Sequence, residues 1–133
     1  MVQLNPYLKF SGNCREAMEF YKSIFGWDLS LQTVGESPVG ENMPASKDSI
    51  LHSVLSNGTH TIMGSDFHWG EDLNNGNGNH ICLTCESEAE ITTIYNSLIQ
   101  NGTIIQPLEN MPWGSLFAQV IDKYEKHWIL NCD

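Results

Sequence analysis

A long-range duplication is the feature that most constrains the fold of this chain. Asn13 and Ser87 are both predicted helix caps and lie 74 positions apart, and Tyr21 and Tyr95 repeat the same interval inside the two predicted helices. A strand-like run precedes each helix, and three more follow it. The same order of elements, found twice, predicts two copies of a βαβββ unit.

The two helices are the most strongly patterned elements. They are predicted over residues 13–25 and 87–100, because apolar residues recur there at helical spacing. In the first, Asn13 is the expected N-cap and Gly26 the left-handed stop. In the second, Ser87 and Glu90 are spaced as a capping box, and the pair Asn101-Gly102 is expected to end the helix.

The strands complete an α+β fold. They are predicted over 4–10, 29–34, 50–56, 60–65, 79–85, 103–107, 115–121 and 127–132. "NGT" (57–59) and "DKYEK" (122–126) are the hairpin turns. At 133 residues the chain is expected to be a single domain. Its parts are module one at 1–69, a linker at 70–78 that carries only turn residues, and module two at 79–133.

The halves differ most at residues 35–49, "GESPVGENMPASKDS", which have no counterpart in the second half. A loop of this length is uncommon in a compact domain unless it borders a functional site. The segment is therefore either a lid or a disordered insertion, and the sequence alone leaves both interpretations open.

Several segments together resemble a known superfamily. They are "NPYLKFSGNCREAMEFYKSIFG" (5–26), "TIMGSD" (61–66), "PWG" (112–114) and "DKYEKHWILNC" (122–132). The chain resembles the vicinal-oxygen-chelate superfamily, which includes glyoxalase I, bleomycin-resistance proteins and extradiol dioxygenases, and within it the PhnB-like branch. The resemblance implies two modules whose cupped mixed sheets surround a cleft, and a homodimer. A metal, when relatives hold one, is bound by the first and last strands of both halves.

The resemblance places His80 where relatives keep a metal-binding histidine. Its repeat partner at the 74-residue interval is Pro6, which has no ligating atom, and the closing strands offer Gly64 and the region 129–131. Catalytic zinc needs three protein ligands and an open position. We therefore expect no metal and no other cofactor.

Two cysteines near His80 do not restore such a site. Side chains alternate between the faces of a strand, so Cys82 is expected on the face of His80 and Cys85 on the face toward the helix. The two thiols should not chelate one ion. Cys132 could approach only as one member of an incomplete ligand set.

His80 remains the one candidate catalytic residue. It is either a half-buried histidine hydrogen-bonded to a backbone carbonyl or water, or a general base or ligand hydrogen-bond partner in the cleft. An apolar pocket with a few polar groups is typical of small-molecule sites. The predicted ligand-binding residues are Phe10, Ser65, Trp69, His80, Trp113, Phe117 and Asn131. Trp113 and Trp128 have an alternative interpretation as core or dimer residues.

Composition limits the partners. Six basic against sixteen acidic residues give a net charge of −10, which disfavours nucleic acid and fits a cationic or aromatic ligand or simply confers solubility. No apolar run is long enough for a membrane span. The start, MVQLNPYLKF, lacks the layout of a signal peptide, and four cysteines are then expected as reduced thiols. We expect the cytoplasm and no membrane partner.

The sequence therefore favours a metal-independent small-molecule-binding protein. An enzyme that uses His80 as acid/base or as metal ligand is the alternative. A third possibility is an assembly scaffold whose cleft is filled by its own side chains.

Overall fold

A computed structural model describes residues 1–38, 46–68 and 70–133. The chain forms two compact units, Met1–Asn74 (module 1) and Asn75–Asp133 (module 2), and the division falls inside the predicted linker. Among the residues that the structure describes, no helix has the length and apolarity that crossing a membrane requires.

Module 1 is a four-stranded mixed sheet with one helix. Its elements are β1 (Tyr7–Lys9), α1 (Cys14–Phe25), β2 (Asp28–Thr33), β3 (Ile50–Ser56) and β4 (Thr61–Ser65). The strand order is β1-β4-β3-β2. β1 pairs with β4 in parallel, and the other neighbours are antiparallel.

Module 2 repeats this arrangement. Its elements are β5 (Ile81–Thr84), α2 (Glu88–Leu98), β6 (Thr103–Asn110), β7 (Leu116–Ile121) and β8 (His127–Cys132). The order β5-β8-β7-β6 corresponds strand for strand to that of module 1, again with a parallel first pair. The predicted α+β fold of two βαβββ modules is confirmed.

In module 1 the helix covers one face of the sheet. A Cβ atom at Gly64 would lie 3.2 Å from Met18 Sδ of α1 and 3.0 Å from the ring of Phe10. Cys14 Sγ lies 3.6 Å from Ser53 Oγ, which donates to the Gly64 carbonyl at 2.8 Å. Gly64 therefore allows the helix to approach the sheet closely.

The helix ends agree with the sequence in part. Gly26 is left-handed (φ 73°) and its N–H bonds to Lys22, and the N–H of Glu90 bonds to Ser87 Oγ at 3.1 Å, as predicted. Asn13 occupies the N-cap position, but its side chain makes no capping hydrogen bond, so that expectation was wrong. The Glu90 carboxylate accepts from the backbone of Glu86 at 2.9 Å instead of completing the capping box.

The core of module 2 is built around Trp128, which is fully buried. Its indole N–H donates to Asp122 Oδ2 at 2.8 Å. Asp122 Oδ1 accepts from the backbone N–H groups of Tyr124 and Lys126. One carboxylate therefore shapes the β7–β8 turn and satisfies the buried indole. The interpretation of Trp128 as a core residue is confirmed.

The described start of the segment 35–49 belongs to a turn that the sequence did not predict. A 3₁₀ turn spans Val34–Glu36, and a capping box joins Thr33 to Glu36 at its start. The backbone of Val34 also bonds to Ser49 at 2.8 Å. Residues 39–45 lie outside the described residues, so the choice between a lid and an insertion stays open.

Candidate functional site

The face of the module 2 sheet opposite α2 carries three of the predicted site residues, His80, Phe117 and Asn131. Along β8 the buried residues Trp128, Leu130 and Cys132 alternate with partly exposed ones, as a half-covered sheet requires. We call the surface that carries the partly exposed residues the open face of module 2. It consists of His80, Cys82 and Thr84, then His127, Ile129 and Asn131, and then Phe117, Gln119 and Ile121.

His80 makes two defined contacts there. Its Nε2 lies 3.2 Å from Gln119 Nε2. Its ring meets the ring of His127 edge-on, with 5.2 Å between centroids and 86° between planes. Gln119 lies on β7 and His127 on β8, so two strands of the sheet hold the imidazole in position.

The contact with Gln119 selects one tautomer of a neutral His80 ring. An amide nitrogen donates and cannot accept. With Gln119 Nε2 donating, the imidazole Nε2 must accept, and Nδ1 carries the proton of a neutral ring. His80 then presents an N–H donor from Nδ1, a role suited to hydrogen bonding or proton transfer with a small molecule.

Aromatic rings lie on the same module. Phe117 pairs with Asn131 across β7 and β8 and meets Trp113 edge-on at 6.0 Å between centroids. Trp113 is 66% exposed, so the interpretation of this residue as part of the core was wrong. Asn131 donates to Asp133 Oδ1 at 3.3 Å.

Asp133 also accepts from Ser115 Oγ. The hydrogen bond from Ser115, followed by that from Asn131, lowers the pKa of Asp133 below its usual range. These bonds stabilise the charged carboxylate.

The cysteines lie as predicted. Cys82 is exposed beside His80, whereas Cys85 is buried on the helix side. Burial, and after it the charge of Glu90, raises the pKa of the Cys85 thiol to about 11. The two thiols are on opposite faces of the strand and do not share one site.

No three side chains of His, Cys, Asp or Glu within residues 1–38, 46–68 and 70–133 form a group that could hold a metal ion. The repeat counterpart of His80 also differs from the prediction. Phe10 N–H bonds to Ser65 O as Cys85 N–H bonds to Asn131 O, so the first strands are related by 75 positions and not 74. The counterpart is therefore Asn5 and not Pro6, and it supplies neither imidazole, thiolate nor carboxylate.

Two predicted ligand residues of module 1, Phe10 and Ser65, are buried. Phe10 is 1% exposed and packs with Met18 over Gly64, so the prediction that it lines a binding surface conflicts with its burial. Ser65 is also 1% exposed, and its hydroxyl donates to Leu51 O at 2.6 Å and accepts from Phe67 N–H at 2.9 Å. Ser65 holds the end of β4. Trp69 lies outside the described residues.

Sequence reasoning missed Gln119 and His127 as neighbours of His80. The available signal was the strand order: parallel pairing of β5 with β8 brings residue 80 beside 127, because Ile81 pairs with Trp128. Gln119 lies one strand further, opposite Ile129. Neither residue belongs to a local motif with His80, so spacing along the chain could not reveal them.

Comparison with known proteins agrees with this architecture. The protein YjdN of Escherichia coli (strain K12) is 26% identical over 140 residues, which cover 98% of this chain and 95% of that protein. The crystal structure of protein PA1353 from Pseudomonas aeruginosa superposes with a TM-score of 0.89 at 34% identity, covering 100% of this chain and 98% of that one. A PhnB protein from Bacillus cereus gives a TM-score of 0.80 at 27% identity, with 99% and 100% covered.

The family comparison covers nearly the whole chain. The model of the glyoxalase/bleomycin resistance protein/dioxygenase superfamily matches residues 3–129, a span that includes module 1 from residue 3 and module 2 as far as the start of β8. The resemblance seen in the sequence is thereby confirmed. This chain belongs to the glyoxalase/bleomycin resistance protein/dioxygenase superfamily.

Proposed function

We propose that this protein binds a small organic molecule without a metal, and that the ligand is held on the open face of module 2 around His80. The observation that carries the proposal is the contact of His80 with Gln119 at 3.2 Å. The polar side chain of Gln119 holds the imidazole of His80 there. The same face also carries the apolar side chains of Ile129, Ile121 and Phe117. A small number of fixed polar groups among apolar ones is characteristic of ligand sites.

The surrounding chemistry favours a cationic aromatic ligand. Trp113 is exposed next to Phe117, and aromatic faces attract organic cations. The net charge of −10 favours the approach of a cation. The Nδ1–H of His80 would then bond to an acceptor on the ligand. The four free cysteines accord with the proposed cytoplasmic location, where thiols stay reduced.

The test is binding of 3-carbamoyl-1-methylquinolinium, a cationic aromatic whose amide oxygen can accept from His80, to chelator-treated protein, followed by thermal unfolding and calorimetry. A ligand at about 100 times its dissociation constant stabilises the native state by about 2.7 kcal/mol, so a clear rise in Tm is expected, with or without chelator. The anionic analogue 1-naphthoate should bind more weakly on this face. His80→Ala and Gln119→Leu should both weaken binding of the cation.

His60→Ala is the matched control, because His60 belongs to module 1 and its loss should leave binding unchanged. A protein that retains stoichiometric metal after purification and loses binding on chelation would contradict the proposal. The homodimer expected from the resemblance stays a prediction, which light scattering of the purified protein would check.

An enzyme that uses His80 as acid/base is the second candidate function. It is supported by the same hydrogen bond, since an imidazole with Nε2 engaged by Gln119 presents its proton at Nδ1. Turnover of a bound compound that is abolished by His80→Ala, while binding of that compound persists, would favour the enzyme over the binding protein.

A further inference from the structure

The open face of module 1, opposite α1, carries a cluster of polar side chains that the proposed function does not use. Tyr7 and Lys9 lie on this face because they pair with Met63 and Ser65 of β4, which alternate with the helix-facing Gly64. His52 of β3 belongs to the same face.

Tyr7 contacts both of the other two residues. Tyr7 Oη lies 3.0 Å from His52 Nδ1, and the two rings stack at 5.7 Å between centroids with 25° between planes. The ammonium of Lys9 lies 5.5 Å from the centre of the Tyr7 ring.

Charge sets this cluster apart. Within the four strands of module 1 that the structure describes, Lys9 is the one lysine or arginine. The whole chain carries only six basic residues against sixteen acidic ones. Because the overall field of the protein repels anions, a negatively charged group can bind only where local donors are arranged to receive it.

The cluster is held by the backbone beneath it. Lys9 Nζ donates to the carbonyl of Phe67 at 2.8 Å, and the N–H of Phe67 donates to the buried hydroxyl of Ser65 at 2.9 Å. Ser65 in turn donates to Leu51 O at 2.6 Å. The ammonium is thereby positioned by a chain of bonds that ends in the sheet, and such preorganisation lowers the cost of binding.

Tyr7 can act as a donor on this face. It is 45% exposed, and partial burial raises the pKa of its phenol, so the hydroxyl keeps its proton at neutral pH. In the tautomer with a proton on His52 Nδ1, the imidazole donates to the phenol oxygen, and the phenol donates its own hydrogen outward. Successive hydrogen bonds of this kind polarise and strengthen one another.

We propose that Lys9, Tyr7 and His52 form a binding site for an oxyanion, the carboxylate or phosphate group of a small molecule, on the open face of module 1. The ammonium supplies the charge and a charge-assisted hydrogen bond, the phenol supplies a neutral hydrogen bond, and His52 orients the phenol. This site is formed within module 1 and does not depend on the ligand proposed for module 2.

The test uses inorganic phosphate and acetate as separate probes, titrated against chloride at constant ionic strength. Ring resonances of His52 and Tyr7 are followed by NMR in the full chain. Saturable shifts at both rings are expected. Because a hydrogen bond to a charged group contributes more than a neutral one, Lys9→Met should weaken binding by about tenfold or more. Tyr7→Phe should weaken it by about two- to tenfold, and Lys9→Arg should largely preserve it.

Lys22→Met is the matched control, because it removes the same charge from an exposed position on α1 and should leave binding unchanged. His80→Ala should also leave it unchanged, which separates this proposal from that for module 2. Equal weakening by Lys9→Met and Lys22→Met would overturn the proposal, since it would show a general charge effect. Absence of saturable shifts at His52 with both probes would also overturn it.

Discussion

The carboxylate of Asp66 caps the helix that begins at Cys14, although the two residues are 52 positions apart in the chain. Asp66 Oδ1 accepts from the backbone N–H of Cys14 at 3.0 Å and of Gly12 at 2.9 Å. Its Oδ2 accepts from Ile50 N–H at 2.9 Å. One side chain at the end of β4 thus ties together the start of α1 and the start of β3. A negative charge is also favourable at a helix N-terminus.

Asp66→Ala should lower the free energy of unfolding by about 1–3 kcal/mol, because three backbone donors lose their acceptor. Urea denaturation followed by circular dichroism would measure the change. Asn13→Ala is the control: Asn13 stands at the N-cap without a side-chain bond, so its loss should cost less than about 0.5 kcal/mol. A larger loss for Asn13→Ala than for Asp66→Ala would contradict this assignment.

Trp128→Phe should destabilise the protein by about 1–3 kcal/mol, because it removes the donor to Asp122 Oδ2 while the carboxylate stays buried. Asp122 is only 2% exposed, so water cannot readily replace the indole. Trp113→Phe is a matched substitution at an exposed site and should change the stability by less than about 0.5 kcal/mol. Similar losses for the two variants in denaturant titrations would show that the buried bond contributes little.

The sequence predicted elements well where a local signal existed. The helical spacing of apolar residues in both helices and the turn residues at 57–59 are patterns within short stretches of sequence. The structure has helices and a turn close to the predicted positions. The duplication then supplied the order of elements along the chain. Each of these inferences depends on contacts between residues near in sequence, or on one half repeating the other.

The failures have a common physical cause. Asn13 is a residue type that often caps helices, but the first helical N–H, that of Cys14, is bonded by the carboxylate of Asp66 at the end of a distant strand. The helices of the two halves repeat at 74 positions, but their first strands repeat at 75. The counterpart of His80 is therefore Asn5 and not Pro6. The partners of His80, Gln119 and His127, meet it only through sheet pairing. Contacts of this kind depend on how distant segments of the chain pair, which a pattern within a short stretch of sequence does not specify.

The Cys85 thiol makes stability depend on pH in the alkaline range. Its pKa is raised from 9.0 to about 11, chiefly by burial. Below about pH 9 the thiol is protonated in both states, so its contribution is fully present. Between 9 and 11 the unfolded chain releases the proton and the folded chain keeps it, so the free energy of unfolding falls as pH rises.

Denaturant titrations of Cys85→Ala and Cys82→Ala across this range would check the prediction. Both variants are compared by the slope of stability with pH, not by stability itself. Cys85→Ala should flatten the slope, whereas Cys82→Ala removes an exposed thiol and should leave it as in the unaltered protein. An unchanged slope in Cys85→Ala would assign the pH dependence to other groups.

Gly102 is required by close approach of the backbone and not by a left-handed conformation. The positive φ after α2 belongs to Asn101, at 56°. A Cβ atom at Gly102 would collide with the carbonyl oxygen of Ile121, and it would lie 3.2 Å from Leu98 O and 3.3 Å from Asp122 Cα. All three neighbours are backbone atoms, which cannot rotate away as a side chain does.

Gly102→Ala should therefore destabilise module 2 by about 1–3 kcal/mol, the usual cost of overpacking that moves the backbone. Gly78→Ala is the control in the same module, because a Cβ atom there meets nothing within 4 Å, and this variant should be neutral or slightly stabilising. Thermal unfolding of both variants would check the pair. If Gly102→Ala proved as stable as Gly78→Ala, the end of α2 would have to move away from β7 at little cost, and the close packing of these two elements would not be what fixes glycine at this position.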